Sequence, residues 1–152
     1  MNEIIRRQQV RSAQTINASE TLGMNTDADI RRLTTAKAWM KARAVRNKVL
    51  GLHLFAEPAW DMLLALYIAH GEFRMLSVSA VVSYANVPST TGLRWLTKLE
   101  DSGMISRRTD LKDGRRIFVQ MLPEAIESME TIFDQVGESD ARLGLSRLYF
   151  QR

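Results

Sequence analysis

The chain has 152 residues, of which 45% are hydrophobic and 25% charged, the composition of an ordinary globular protein. It contains no cysteine and two histidines, which excludes a disulfide framework, a cysteine nucleophile and almost any zinc site, so we expect no metal and no cofactor. The net charge is +4, and the positive excess lies towards the front: residues 1–58 carry ten Lys/Arg and five Asp/Glu, whereas residues 122–152 carry three and six. The longest apolar run, residues 62–69, is far shorter than the roughly 18 residues of a membrane span, so we expect no membrane partner.

The first predicted elements are a polar leader and a long basic helix. Residues 1–26 are rich in Gln, Ser, Asn and Thr, and could form a helix only against a partner. Over residues 27–56 a helix is predicted to start at Asp27 or Asp29, whose carboxylates suit the positive end of a helix dipole. Its apolar residues recur at helical spacing: Ile30, Leu33, Trp39, Met40, Val45, Val49, Leu50 and Leu52.

A second helix is predicted to open at Glu57-Pro58, because proline suits the first helical turn. Residues 59–70 are apolar on nearly every side, and Gly71 is expected to close the helix. A helix of this character belongs in the middle of a core.

The remaining elements are short and alternate with tight turns. Ser77 is predicted to cap a helix over residues 78–85, residues 86–88 make a turn, and Ser89 or Thr90 caps a helix that ends at Gly103. Strands over 104–109 and 115–121 form a hairpin, and Pro123 opens a helix to about Val136, with a short helix over 140–150. This order predicts a mainly α fold with a small β-hairpin wing: a winged helix-turn-helix over residues 57–122, between dimerisation segments 27–56 and 123–152.

The helix predicted over residues 89–102 has two faces of different chemistry. Gly92, Trp95, Leu96 and Leu99 share the face expected to pack inward, and Gly92 lets the preceding helix approach closely. Thr90, Leu93, Arg94 and Thr97 point the opposite way, with Lys98 on the flank. Hydroxyls, a guanidinium and an apolar group near a helix start can read base edges in a major groove. The alternative is that they are ordinary surface residues.

The tip of the predicted hairpin, residues 110–116, is strongly charged. It holds Lys112, Arg115 and Arg116 together with Asp110 and Asp113. We expect Ile117, Val119 and Met121 to point inward, which fixes the strand register. An arginine at such a tip can enter a minor groove, and Asp113 is expected to pair with Arg115 and hold its rotamer. The alternative is a solubilising charged turn.

Several of these segments resemble the MarR family of bacterial winged-helix regulators. They are Leu76-Ser77-Val78-Ser79, the turn from Asn86 to Thr90, the stretch from Leu96 to Ile105, and the wing motif Asp110-x-x-Asp113-Gly114-Arg115. The resemblance covers about residues 50–125. It implies a homodimer that binds pseudo-palindromic operator DNA and is often released by a small aromatic or phenolic ligand.

The dimer interface is predicted to depart from the family's arrangement. Leu122 stands where the family usually has a threonine, and the segment after the wing is short for C-terminal dimer arms. We therefore expect the N-terminal half to build the dimer through the stripe Ile30, Leu33, Trp39 and Met40, paired with its own copy or with Leu143, Leu145 and Leu148 of a second copy.

The sequence thus favours a bacterial cytoplasmic transcriptional regulator that binds double-stranded DNA as a homodimer. The predicted roles are base reading for Thr90, Leu93, Arg94 and Thr97, minor-groove contact for Arg115 and Arg116, and phosphate contact for Ser77, Lys98, Arg107 and Arg108, with Ser89 also among the candidate DNA contacts. Asp113 is the predicted wing-orienting residue. Trp39, Met40, Trp60 and Tyr67 could line a pocket for a small aromatic effector, although helical spacing more often marks core.

Two other classes of protein compete with this interpretation. A winged helix can serve protein–protein contact without sequence-specific DNA binding. An enzyme would need a polar pocket, but neither Asp110 with Asp113 nor Glu100 with Asp101 is positioned as an acid–base pair, so we expect no catalytic site.

Overall fold

The computed structural model describes residues 26–51 and 54–142. These residues form the helices α1 (Asp27–Leu50), α2 (Pro58–Gly71), α3 (Val78–Tyr84), α4 (Ser89–Asp101) and α5 (Pro123–Arg142), and the strands β1 (Leu76–Ser77), β2 (Ile105–Thr109) and β3 (Ile117–Met121). The predicted fold class is confirmed: the described chain is mainly helical with a small antiparallel sheet. The leader up to residue 25 and the last predicted helix beyond residue 142 lie outside the described residues.

The chain divides into two units, and Thr26–Ile30 is the described part of the first. Within this part, two side chains cap the first turn of α1. The Asp29 N–H donates to Thr26 Oγ1 at 3.2 Å, and the Thr26 N–H donates to Asp29 Oδ2 at 3.2 Å. This reciprocal pair satisfies two backbone donors that the helix itself leaves open, which explains a helix start at Asp27.

The other end of α1 comes earlier than the apolar pattern predicts. The helix ends at Leu50, and Gly51 adopts a φ of 96°, a left-handed conformation that favours glycine. The predicted stripe continued to Leu52, which lies outside the described residues.

Helix α2 is the centre of the core, as predicted. Pro58 is its first residue, and Met62, Leu64 and Tyr67 are fully buried. The helix ends at Gly71 as predicted, but Gly71 is itself helical, and Phe73 takes the left-handed conformation with φ 55°. The Arg74 N–H donates to the Ala69 carbonyl at 2.8 Å, so a Schellman-type end forms around a phenylalanine.

The sheet has the strand order β1-β3-β2, with both pairings antiparallel. Ile105 pairs with Met121 near the core, and Thr109 pairs with Ile117 at the far end of the hairpin. Val119 and Met121 are buried as predicted, but Ile117 is 42% exposed, which corrects its predicted inward position. Ile117 lies at the end of the hairpin farthest from the pair of Ile105 and Met121, and only part of its side chain is covered there. Strand β3 also begins at Ile117 and not at Arg115.

Helix α5 runs six residues beyond the predicted end at Val136, through Gly137. Ala125, Met129 and Phe133 recur at a spacing of four and are buried. Phe133 stacks against Tyr67 at a centroid distance of 5.0 Å and meets Trp39 edge-on at 5.5 Å. One face of α5 therefore packs within its own chain.

The interface stripe predicted on α1 is partly covered within its own chain. Trp39 lies 5.8 Å from Trp60 and 5.5 Å from Phe133, between ring centroids, and is half-buried. Leu33 and Met40 are half-buried. The exposed apolar face of α1 is a different one, which we call the α1 outer stripe: Ala38, Ala42, Val45 and Val49.

A buried ion pair joins α1 to α2. Asp61, which is buried, accepts a hydrogen bond of 2.6 Å from Arg43 Nε, and Arg43 also pairs with the exposed Glu57. Burial alone would lower the pKa of Arg43, but its hydrogen bonds to Asp61 and Glu57 outweigh burial and raise that pKa above the usual value. The guanidinium is therefore charged throughout the accessible pH range.

Within the described ranges, no helix has the length and apolar character to cross a membrane. Nor do residues 26–51 and 54–142 bring together three or more His, Cys, Asp or Glu side chains that could hold a metal ion.

Candidate nucleic-acid interface

The start of α4 is set by its backbone and not by a side-chain cap. Asn86 has a φ of 53° and its Nδ2 donates to the Tyr84 carbonyl at 2.9 Å, which makes the turn after α3. Pro88 is the N-cap residue, without a side-chain cap hydrogen bond, and its carbonyl accepts from the Gly92 N–H at 2.9 Å. The predicted capping by Ser89 or Thr90 is therefore wrong. Both side chains are exposed in the first helical turn instead.

The two predicted faces of α4 are present in the structure. Leu96 and Leu99 are buried and Trp95 is half-buried, whereas Thr90, Leu93, Arg94 and Thr97 are exposed. No hydrogen bond or ion pair within the described residues involves these four exposed side chains. The outer face of α4 is thus a rigid helical surface with its polar groups open to a ligand.

Gly92 fixes how closely α3 approaches α4. A Cβ built at Gly92 would lie 2.8 Å from Val82 Cγ1, shorter than side-chain contacts allow. Because Val82 is itself buried, it has no room to move aside. The close approach predicted at Gly92 is therefore confirmed, and it sets the orientation of the outer face.

Two cations of the candidate set are held by neighbouring side chains. Lys98 Nζ lies 4.4 Å from the centroid of the Trp95 ring, a cation–π contact that restrains the ammonium. Arg107 Nε donates to Glu100 Oε2 at 2.7 Å, and the Arg107 N–H donates to Glu100 Oε1 at 3.2 Å. The hydrogen bond from Arg107 lowers the pKa of Glu100.

The Glu100–Arg107 pair joins α4 to β2, a role that the sequence analysis did not assign to Glu100. The seven-residue separation across the turn at Gly103 was the only signal for it. Arg108, the next residue, is exposed and has no ion pair among the described residues. Arg108 is accordingly the more available of the two for a phosphate.

Ser77 has a structural role in addition to its candidate phosphate contact. Its Oγ accepts a hydrogen bond of 3.3 Å from the Ala80 N–H, which confirms the predicted cap of α3, and lies 3.0 Å from Ser79 Oγ. Its hydroxyl is therefore partly occupied within the fold.

The tip of the wing is shaped by its two aspartates. Asp110 Oδ1 accepts from the Lys112 N–H at 2.9 Å, and Asp113 Oδ1 accepts from the Arg115 N–H at 3.1 Å. Asp113 therefore shapes the backbone before Arg115, which corrects the predicted ion pair with the guanidinium. Lys112, Arg115 and Arg116 are exposed, and Arg116 lies 5.4 Å from the centroid of the Phe118 ring.

This geometry predicts that the hydrogen-bonding oxygen of Asp113, and not its charge, matters for the wing. Asp113→Asn keeps an oxygen that can accept from the Arg115 N–H, so we expect its affinity for duplex DNA to equal or exceed that of the parent. Asp113→Ala removes the acceptor and is expected to weaken binding by about 1 kcal/mol, the value of one hydrogen bond. Fluorescence anisotropy on one duplex at fixed salt measures both, and equal affinities for the two variants would rule out this role.

A cleft of about 480 Å³ lies among α1, α2 and the end of α3. Its lining includes Met40, Arg43, Asn47, Asp61, Tyr84 and Asn86. Of the aromatic pocket predicted from the sequence, Met40 lines this cleft, whereas Trp39, Trp60 and Tyr67 belong to the packed cluster around Phe133. Tyr67 is fully buried, whereas Trp39 and Trp60 are half-buried, so these rings pack against neighbouring rings and do not line the cleft.

Comparison with known proteins places the fold. No protein-family model matches the chain. A segment of 64 residues is 30% identical to riboflavin kinase of Thermococcus kodakarensis, covering 42% of this chain but only 29% of the kinase. A crystal structure of a MepR mutant from a multidrug-resistant S. aureus isolate matches with a TM-score of 0.50 at 17% identity, over 75% of this chain and 76% of that one. The S. aureus MepR–DNA complex matches with a TM-score of 0.43 at 19% identity, over 78% of this chain and 97% of that one.

The described chain therefore has a winged helix-turn-helix fold, with α3 and α4 as the helix-turn-helix and β2–β3 as the wing. It is the fold of MepR, a MarR-family regulator, so the resemblance seen in the sequence is confirmed at the level of the fold.

Proposed function

We propose that this protein is a transcriptional regulator that binds double-stranded DNA sequence-specifically. The observation that carries the proposal is the outer face of α4, where Thr90, Leu93, Arg94 and Thr97 are exposed and unpartnered on a helix held in place by Gly92. In a winged helix-turn-helix this helix enters the major groove. Arg94 would then read guanine, and Leu93 a thymine methyl.

The wing and the flanks of α4 supply the sequence-independent part of the binding. Arg115 and Arg116 lie at the tip of a hairpin that would cross the backbone towards the minor groove. Lys98, Arg107 and Arg108, with Ser77, are the candidate phosphate contacts, and Ser89 and Thr90 stand at the helix start. Arg107 has to share its charge with Glu100, so we rank Arg108 above it.

A homodimer on a pseudo-palindromic operator completes the proposal, because one reading helix buries too little surface for tight specific binding. We place the two-fold contact in the N-terminal half, on the α1 outer stripe. Its members Ala38, Ala42, Val45 and Val49 follow a 4-3-4 spacing, the pattern of a helix-pairing seam, and Val49 is 73% exposed.

The role is regulatory and not enzymatic, and its setting is the bacterial cytoplasm. The match to riboflavin kinase covers less than a third of that enzyme and gives no support for a kinase activity. A small aromatic effector, if the protein takes one, fits the cleft beside Met40 and Tyr84 better than the packed aromatic cluster.

The test is Arg94→Ala on a duplex that the protein itself selects from a random library. We expect a loss of about 1–3 kcal/mol on the selected duplex and a relaxed preference at one base pair. On random duplex the loss should be much smaller, because phosphate contacts remain. The matched control is Arg108→Ala, which should weaken selected and random duplexes equally and reduce the salt dependence of binding. A protein–protein module would show no selected duplex at all.

A further inference from the structure

The outermost residue of the wing is a leucine. Leu111 has a relative exposure of 103%, so its side chain is fully exposed to solvent. Surface leucines are common singly, so exposure alone does not identify a contact. Leu111 instead stands between Asp110 and Lys112 at the turn of a hairpin, on the side of the fold that carries the free cations.

The backbone beneath Leu111 is fixed by hydrogen bonds. The Asp110 N–H donates to the Arg116 carbonyl at 2.8 Å, and the Arg116 N–H donates to the Asp113 carbonyl at 2.9 Å. The Lys112 N–H is held by Asp110 Oδ1. Leu111 is therefore presented by a closed turn, at a defined position relative to strands β2 and β3.

The charges around Leu111 indicate what it contacts. Each aspartate of the tip has one carboxylate oxygen bound to a backbone N–H, which reduces its repulsion of an anion. Lys112, Arg115 and Arg116 are exposed and make no ion pair within the described residues. An apolar side chain ringed by free cations matches a polyanion with an apolar interior, which is what a stacked duplex offers.

We propose that Leu111 is an apolar wedge that enters the minor groove and partly unstacks one base step beside the half-site read by α4. The inference rests on the proposed DNA binding and adds a new element to it, namely recognition through DNA deformability. Leucine is among the side chains that insert between base steps, and such insertion bends the duplex towards the major groove. Pyrimidine–purine steps unstack most easily, so Leu111 selects such a step without a base hydrogen bond.

The experiment uses the full chain and a duplex of about 30 base pairs that the chain selects from a random library, a length that covers two half-sites. The fluorescent adenine analogue 2-aminopurine, which brightens on unstacking, replaces one adenine at a time through the flank of the half-site. With the parent protein we expect a several-fold rise in fluorescence at one step only. Leu111→Ala should abolish that rise, weaken binding about tenfold, and lose the pyrimidine–purine preference when the selection is repeated.

Two further variants serve as controls. Neither they nor Leu111→Ala should disturb folding, because the substituted side chains are exposed. Leu111→Met keeps an apolar wedge and should retain the fluorescence rise. Lys112→Ala removes the neighbouring cation and should lower affinity and the salt slope while the rise persists.

The outcomes separate the wedge from the proposed function. Should Leu111→Ala bind and brighten the duplex as the parent does, or should the parent brighten no position, the wedge is wrong while DNA binding stands. Should the parent enrich no duplex from the library, the proposed function fails and the wedge fails with it. Should Leu111→Ala change the oligomeric state and leave DNA binding intact, Leu111 is a protein contact and the wedge is again wrong.

Discussion

Asp61→Ala is expected to lower the free energy of unfolding by about 3 kcal/mol, the lower end of the cost of breaking a buried ion pair. Asp61 is 7% exposed and takes a 2.6 Å hydrogen bond from Arg43 Nε. Removing it leaves a guanidinium with 13% side-chain exposure, whose remaining ion-pair partner among the described residues is Glu57. Because Arg43 stays ionised, it cannot escape the loss by giving up its proton. Urea denaturation monitored by circular dichroism measures the change.

The matched control for Asp61 is the other partner of the same arginine. Glu57 is 56% exposed, so Glu57→Ala should cost well under about 1 kcal/mol, as solvent-exposed ion pairs do. Equal losses for the two variants would mean that burial does not decide the strength of this network. A parent-like stability for Asp61→Ala would show that the pair contributes nothing to joining α1 and α2.

Val45→Asp combined with Val49→Asp is expected to convert the proposed homodimer into a monomer and to weaken binding to the selected duplex by about 10²–10⁴-fold, the usual gain from a second linked contact. Val45 is 54% and Val49 73% exposed, so the carboxylates meet solvent in the monomer and folding is retained. In a two-fold contact each carboxylate would be buried opposite an apolar stripe, which is strongly unfavourable. Analytical ultracentrifugation gives the mass, and anisotropy on the selected duplex gives the affinity.

Phe73→Asp is the control for the dimer variant. Phe73 is also a large exposed apolar residue, at 75%, but it belongs to the turn after α2 and is not a member of the α1 outer stripe. This variant should remain dimeric and bind the duplex like the parent. A dimer that survives both valine substitutions would place the two-fold contact elsewhere, with the C-terminal segment the first place to look.

The sequence was sufficient to predict the element order because each element carries its own periodicity and its own stop signal. The apolar run of α2 predicted the position of the core. Gly103 and Pro123 predicted helix boundaries that the structure confirms to within two residues. The two faces of α4 followed from helical spacing alone, and so did the glycine that faces Val82. At these positions the helical spacing and stop signals of the sequence agree with the burial in the structure, which is why one sequence was enough to predict them.

Two of the differences between prediction and structure depend on what packs from elsewhere in the chain, and the third depends on the backbone geometry of a turn. Trp39 was assigned to an interface because its stripe was longer than one small domain can easily cover, but α5 brings Phe133 against it. Ile117 alternates correctly with Val119, but at the far end of the hairpin only part of its side chain is covered. Asp113 was predicted to pair with the guanidinium of Arg115, but it accepts a hydrogen bond from the Arg115 N–H. The backbone geometry of a turn cannot be inferred from the chemistry of its side chains.

The way α4 begins has a consequence for how the protein can change its target. Because Pro88 begins the helix without a side-chain cap, Ser89 and Thr90 are not needed to cap it, and the side chains of the outer face are exposed. Folding stability and the proposed reading of DNA bases thus depend on separate residues of one helix. Exchanging Thr90, Leu93, Arg94 and Thr97 as a set should redirect the protein to a new DNA sequence at almost no loss of folding free energy. Mutation can therefore change the DNA sequence that this fold binds one residue at a time.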